Sequence, residues 1–213
     1  MKNNKKIIIV VTIVAVVFLI AVIIIASNKK PIVVNQSSGN TLVDSYKTDL
    51  PTLEATLQKD PNNVTAIRNY AVALYATGDL ESAKAQYIHE KELNPNDAVL
   101  YNNLGNIYRD SGEYQLAVDS YQKSVDLDKN QVNVYANLAN LYIYTMKQPD
   151  LGYGVYTKGI ENSPANKVAL LLQLGNAYKD AGLKDKAIDV YNQILAVDAN
   201  NVAAKAALES LKQ

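Results

Sequence analysis

Asn69, Asn103 and Asn137 recur at intervals of 34 residues, and Gln173 follows 36 residues further on. A primary amide offers two N–H donors and an acceptor with two lone pairs, the complement of a peptide unit's C=O and N–H. A ladder of amides can therefore hold an extended chain by its backbone with little demand on that chain's sequence. Asn102, Asn106, Asn133, Asn140 and Asn176 accompany the row, and Arg109, Lys179, Tyr75 and Tyr144 could add charge and aromatic contact. The competing reading is that these amides bond to adjacent helices and stiffen the protein, and the two readings are compatible. Simple abundance of Asn is a weaker account, because only Asn192 falls clearly inside a second helix of the repeats described below.

Other chemistries are poorly served. The 213 residues include no Cys, which removes disulfides, thiolate catalysis and Cys-based zinc sites together. The single His, His89, leaves no His cluster or triad and reads as a surface residue. Acid pairs such as Asp119/Asp126 and Asp185/Asp189 sit at helical spacing and read as solvated faces. With no phosphate-cradling Gly loop, metal-ligand spacing or nucleophile–base pair, the expectation is a protein that is not an enzyme and uses no cofactor and no metal. Five of the 21 basic residues lie in residues 1–30, which hold no acid, so the remainder carries 16 basic against 21 acidic groups. A mildly acidic body without a basic block argues against nucleic acid as a partner.

The amides must be positioned by a repeat. The segments 64–97, 98–131, 132–167 and 168–201 align, three of them 34 residues long and the third 36. The seventh position is Tyr70, Leu104, Leu138, Leu174; the eighth is Ala71, Gly105, Ala139, Gly175; the twentieth is Ala83, Ala117, Gly152, Ala187; the twenty-fourth is always Tyr, at 87, 121, 156 and 191. Spacings of three and four between large apolar residues specify amphipathic helices. Gly78, Gly112 and Gly182 supply a turn inside three units, whereas the third replaces it with the irregular stretch Thr145 to Asp150. Gly105 and the Asn residues around it are poor helix formers, by up to ~1 kcal/mol for Gly relative to Ala. For Gly105 the small residue at the twentieth position suggests close approach of two helix backbones; for the Asn residues a surface role is expected.

This pattern resembles the tetratricopeptide repeat family over residues 64–201. The resemblance implies an all-α superhelix of helix-turn-helix units, with the second, fifth, sixth, ninth, twelfth and thirteenth positions on its concave face. It also implies a protein or peptide partner, and some peptide-binding superhelices of the family carry Asn at the sixth position of successive units. Asn69, Asn103 and Asn137 fill those places, and Gln173 continues them. A carboxylate clamp of the chaperone type is not matched, since Asn102, Ala169 and Gln173 stand where basic residues are needed, and Val72 replaces the Asn expected beside Arg68. The twenty-seventh position, usually Ala in the family, is Glu90, Ser124, Gly159 and Ile194.

Outside the repeats, residues 7–26 contain one polar side chain, Thr12, and are long enough as a helix to cross a bilayer's hydrocarbon core, ~30 Å. The run is longer than a signal-peptide core and lacks a small-x-small cleavage site, so it reads as an uncleaved transmembrane anchor. Lys2, Lys5 and Lys6 before it, against Lys29 and Lys30 after it, place residues 1–6 in the cytoplasm and the repeats outside it. Residues 27–41 read as a flexible tether, 42–63 as a partial repeat with Leu53 and Leu57 facing in, and 202–213 as a closing helix with Val202, Leu208 and Leu211 inward. The expected protein is a membrane-tethered interaction scaffold whose partner-binding residues are Asn69, Asn102, Asn103, Asn106, Arg109, Asn137, Asn140, Gln173 and Asn176. The alternatives are a structural component that forms a homo-oligomer through its terminal helices, and a secreted soluble binder should the apolar run be cleaved.

Overall fold

Helix starts are set by short acceptor side chains. Asn63 Oδ1 accepts from Ala66 N–H at 3.0 Å, Asp79 from Ser82, Asp97 from Val99 and Leu100, and Asn201 from Ala204, each satisfying a donor left open at the first turn. A computed structural model describes residues 40–212, an all-helical chain with no strand among the described residues. In order the helices are α1 (Asn40–Lys59), α2 (Val64–Ala76), α3 (Leu80–Leu93), α4 (Ala98–Asp110), α5 (Tyr114–Leu127), α6 (Val132–Asn140), α7 (Pro149–Asn162), α8 (Lys167–Asp180), α9 (Lys184–Val197) and α10 (Val202–Ser210). Residues 1–6, the proposed anchor 7–26 and nearly all of the proposed tether lie outside the described residues. Among those described, no helix is long and apolar enough to cross a membrane.

Each helix from α2 onward packs on the next, and the apolar positions of the repeat form two cores. Ala71, Leu74, Ala83, Tyr87, Leu100, Leu104 and Ile107 make the first; the second runs from Ala117 to Ala204. Tyr108 packs against both. The turn glycines take φ of +91° at Gly78, +79° at Gly112 and +72° at Gly182, a left-handed conformation that side chains with a Cβ resist.

Three expectations are amended. Helix α1 begins at Asn40 and runs through Pro51, and Val43, Tyr46 and Leu50 are half-buried beside the expected Leu53 and Leu57. At the other end Val202 is 79% exposed and Ala204 is buried in its place, so the apolar face of α10 is Ala204, Ala207 and Leu208, continued by Leu211 just beyond the helix. Gly105 does not meet a small partner directly: a Cβ there would lie 2.5 Å from Tyr121 Cδ1 and Cε1. Gly175 stands the same way under the Tyr191 ring, and among the described glycines direct backbone approach occurs at Gly152, whose Cβ would meet the Ala139 carbonyl oxygen at 2.7 Å.

The irregular third unit has a specific geometry. After α6 the chain widens into a π turn, Leu141–Thr145, in which Met146 N–H reaches the Leu141 carbonyl at 2.9 Å. Gln148 N–H then closes on the Tyr142 carbonyl at 2.8 Å, and Lys147 takes φ +58° where the other units have Gly. A non-Gly residue in that region is strained by about 1 kcal/mol. Lys147→Gly should therefore raise stability by up to about 1 kcal/mol, seen as a higher thermal unfolding midpoint by circular dichroism; a lower midpoint would mean that Lys147 makes a compensating contact.

Candidate functional site

The twenty-fourth-position tyrosines are buried, and three of the four send their hydroxyl to an amide on a first helix. Tyr121 donates to Asn106 Oδ1 at 2.8 Å, Tyr156 to Asn140 Oδ1 at 3.1 Å and Tyr191 to Asn176 Oδ1 at 2.8 Å. The three Asn residues all occupy the ninth position. Burial pushes these phenols above their ordinary value, so they remain O–H donors throughout ordinary pH. The bond fixes each amide by its oxygen. None of the three Nδ2 groups donates to another group among the described residues.

In the first unit the ninth residue is Val72, which has no amide. Tyr87 instead accepts a bond from Asn103 Nδ2 of the next unit at 3.0 Å. From there the bonding spreads across units. Asn102 Nδ2 donates to Asn103 Oδ1 at 3.4 Å, and Asn137 Nδ2 donates to Asn102 Oδ1 at 3.2 Å and to Asn106 Oδ1 at 3.4 Å. Arg109 reaches both Asn106 Oδ1 and the Tyr121 hydroxyl at 3.5 Å and pairs with Asp110 at 2.7 Å. Asp110 in turn accepts from the Tyr75 hydroxyl. Burial, with the bond to Asp110, raises the Tyr75 phenol to about 12. Burial works against the Asp110 charge, but the bonds from Arg109 and Tyr75 and the Arg109 charge together outweigh it and hold that carboxyl below its usual range. The network ties the first three units together across the boundary between the two apolar cores.

The nine residues chosen from sequence thus divide. Asn102 is only 9% exposed, and both its amide groups are used within the stack, as are those of Asn103. Asn137 donates inward and Arg109 is held by Asp110. Asn69 and Gln173 are exposed. Asn106, Asn140 and Asn176 combine a fixed oxygen with free N–H donors. The repetition of Asn at the ninth position and Tyr at the twenty-fourth was available in the sequence; that one holds the other was not recognised from it. Asn162, at the end of α7, is a further second-helix Asn and donates to the Tyr135 hydroxyl at 3.4 Å.

Two clefts open along this face. One, of about 440 Å³, lies between α1 and α2 and is lined by Tyr46, Asp49, Thr52, Leu53, Asn69 and Val72. The other, of about 110 Å³, is bounded by Val72, Tyr75, Tyr87, Asn103 and Asn106, so Val72 belongs to both.

The unusual twenty-seventh residues are also explained. Glu90 is fully buried and pairs with Arg68, which also bonds to Asp97. Ser124 donates to the Ala98 carbonyl at 2.7 Å, Gly159 makes room for the Tyr135 ring, and Ile194 is core. His89 is half-buried rather than on the open surface, lining a cleft with Glu54 and Tyr70. Among the described residues there is no group of three or more His, Asp or Glu side chains able to hold a metal ion.

Residues 105–143 match the profile described as TPR repeat, and residues 168–201 match that of the tetratricopeptide repeat. These two segments, about a third of the chain together, are therefore similar to tetratricopeptide repeats. Solved structures similar to this helical stack agree on the fold. MamA is 22% identical with a TM-score of 0.60, covering 76% of this chain and 95% of its own. YrrB, described as a TPR protein with an unusual peptide-binding site, is 20% identical with a TM-score of 0.53, covering 75% and 81%. The hetero-tetramer of Cut9 and Hcn1 from APC/C is 19% identical with a TM-score of 0.55, covering 79% of this chain and 34% of that one. No curated protein matches the sequence. At these identities the likeness concerns the fold.

Proposed function

We propose that this protein is an interaction scaffold that binds an extended segment of a partner protein along its inner face, tethered to a membrane by residues 7–26. The tetratricopeptide fold suggests a protein–protein interaction scaffold; the groove ligand and the tether go further. The observation that carries the reading is the ninth-position row, in which buried tyrosines hold Asn106, Asn140 and Asn176 by their oxygens and leave their N–H groups unpartnered. Such donors suit the backbone carbonyls of an extended chain. The tether rests on the apolar run of residues 7–26 and its basic flank, which favour repeats outside the cytoplasm. Confinement to the membrane surface would raise the effective concentration of partners held there.

The test exchanges donors for acceptors without touching the tyrosine bonds. In Asn106→Asp/Asn140→Asp/Asn176→Asp each remaining oxygen can still accept from its tyrosine. Displayed random nonapeptides selected against the full chain in detergent micelles should yield binders, and the triple variant should weaken them about 10-fold or more at an unchanged unfolding midpoint. Equal binding by the variant would remove the amide row from the site. Protease added outside intact cells should cut the repeats; protection would overturn the proposed topology.

A further inference from the structure

The repeat is broken at one place on the inner face, where Val72 takes the ninth position. In the other three units that position carries an amide engaged by the unit's own buried tyrosine. Val72 is shorter and has nothing to offer Tyr87, whose hydroxyl is drawn instead to Asn103 across the unit boundary. The result is the 110 Å³ well bounded by the Val72 side chain, the Tyr75 and Tyr87 rings, Asn103 and Asn106. At about 30 Å³ per water the well holds three or four waters, the bulk of one branched aliphatic side chain.

Its chemistry is asymmetric. The walls are an isopropyl group and two aromatic rings, and the rim holds donors. Tyr87 accepts from Asn103 but sends its own O–H to no acceptor among the described residues, and Asn106 Nδ2 is likewise unpartnered. Burial pushes the Tyr87 phenol above its ordinary value, which keeps that proton in place. An apolar well beside two open donors is complementary to a residue with an aliphatic side chain and an exposed backbone carbonyl. Val72 also lines the larger cleft beside Asn69, so the two cavities are neighbours along the path an extended chain would take.

We infer that the Val72 well is a specificity pocket that takes one Val, Leu or Ile side chain of the extended segment, while Tyr87 and Asn106 donate to the flanking backbone carbonyl. The amide row then supplies affinity that is indifferent to sequence, and this pocket selects among partners by one side chain. The inference rests on the groove reading above.

Nonapeptides recovered from the display against the full chain in detergent micelles should share one position held by Val, Leu or Ile. Replacing that residue by Ala should weaken binding about 10-fold or more. Against Val72→Phe, which fills the well, the same replacement should change affinity less than about 2-fold. Val72→Asn restores the residue of the other three units and provides a second, milder variant; peptides selected on it should lose the aliphatic preference. Both variants should keep the unfolding midpoint, and if Val72→Phe does not fold, Val72→Asn decides. Peptides that bind without a shared aliphatic position, or whose Ala penalty is the same on both variants as on the native chain, overturn the pocket and leave the groove. Failure to recover any binder overturns both.

Discussion

Arg68→Met should destabilise the protein by about 3–5 kcal/mol, a large part of a typical domain's ~5–15 kcal/mol. Glu90 is 0% exposed, one of its carboxylate oxygens already lacks a partner, and the other is held by Arg68. Arg68 also bonds Asp97, the residue that caps α4. Removing the guanidinium leaves a buried carboxylate uncompensated, and the methionine keeps the apolar stem so that lost packing adds little. Arg68→Met/Glu90→Ala, which restores the residue usual in the repeat, should recover most of the loss, because deleting both partners leaves no buried charge. Urea unfolding followed by circular dichroism measures all three proteins; a single variant as stable as the native chain would refute this account. The cluster also predicts acid sensitivity. Burial opposes the Asp97 charge, but the bonds from Arg68 and from the Val99 N–H outweigh it and hold the carboxyl below its ordinary 3.8. A depressed folded value means that this contribution is intact above the unfolded value and is lost as pH falls below it. The native chain should therefore lose stability as pH drops below about 4, and the Arg68→Met chain should show a shallower dependence.

Gly105→Leu should cost about 3 kcal/mol or more. Even the first carbon of a side chain would enter the Tyr121 ring, which has core on its other faces and is pinned by its hydroxyl to Asn106. The ring can move only by leaving that amide and opening the inner-face network. The gain of up to ~1 kcal/mol in helix propensity on replacing Gly is smaller. Gly154, within α7, is the control: its Cβ would have nothing within 4 Å, so Gly154→Ala should stabilise by up to about 1 kcal/mol. Thermal midpoints of the two variants should therefore move in opposite directions. A Gly105→Leu chain that melts like the native one would show that the close approach is not needed.

The two cases also show how far a one-dimensional reading reaches. Small residues at the eighth and twentieth positions pointed to close approach, and close approach is present, but at Gly105 the neighbour is the twenty-fourth-position ring. Spacing says which residues share a face; it does not say which atoms meet across two helices. The same holds for the amides. Their common face followed from period, whereas Asn102 being enclosed and Asn106 presenting its nitrogens depend on bonds to residues 15 to 35 positions away.

The 34-residue period, its helix starts, its turn glycines and the irregular third unit are determined by the sequence alone, because capping, positive φ and amphipathic spacing act within a few residues. The family resemblance was likewise carried by local pattern, as was the apolar run of residues 7–26. What tertiary structure decided is the use of each polar side chain: Glu90 neutralised by Arg68, three amides held by tyrosines, and a well left where Val72 interrupts them. A hydrogen bond or a cavity depends on distances between units far apart in the chain, and those distances exist only after the helices have stacked.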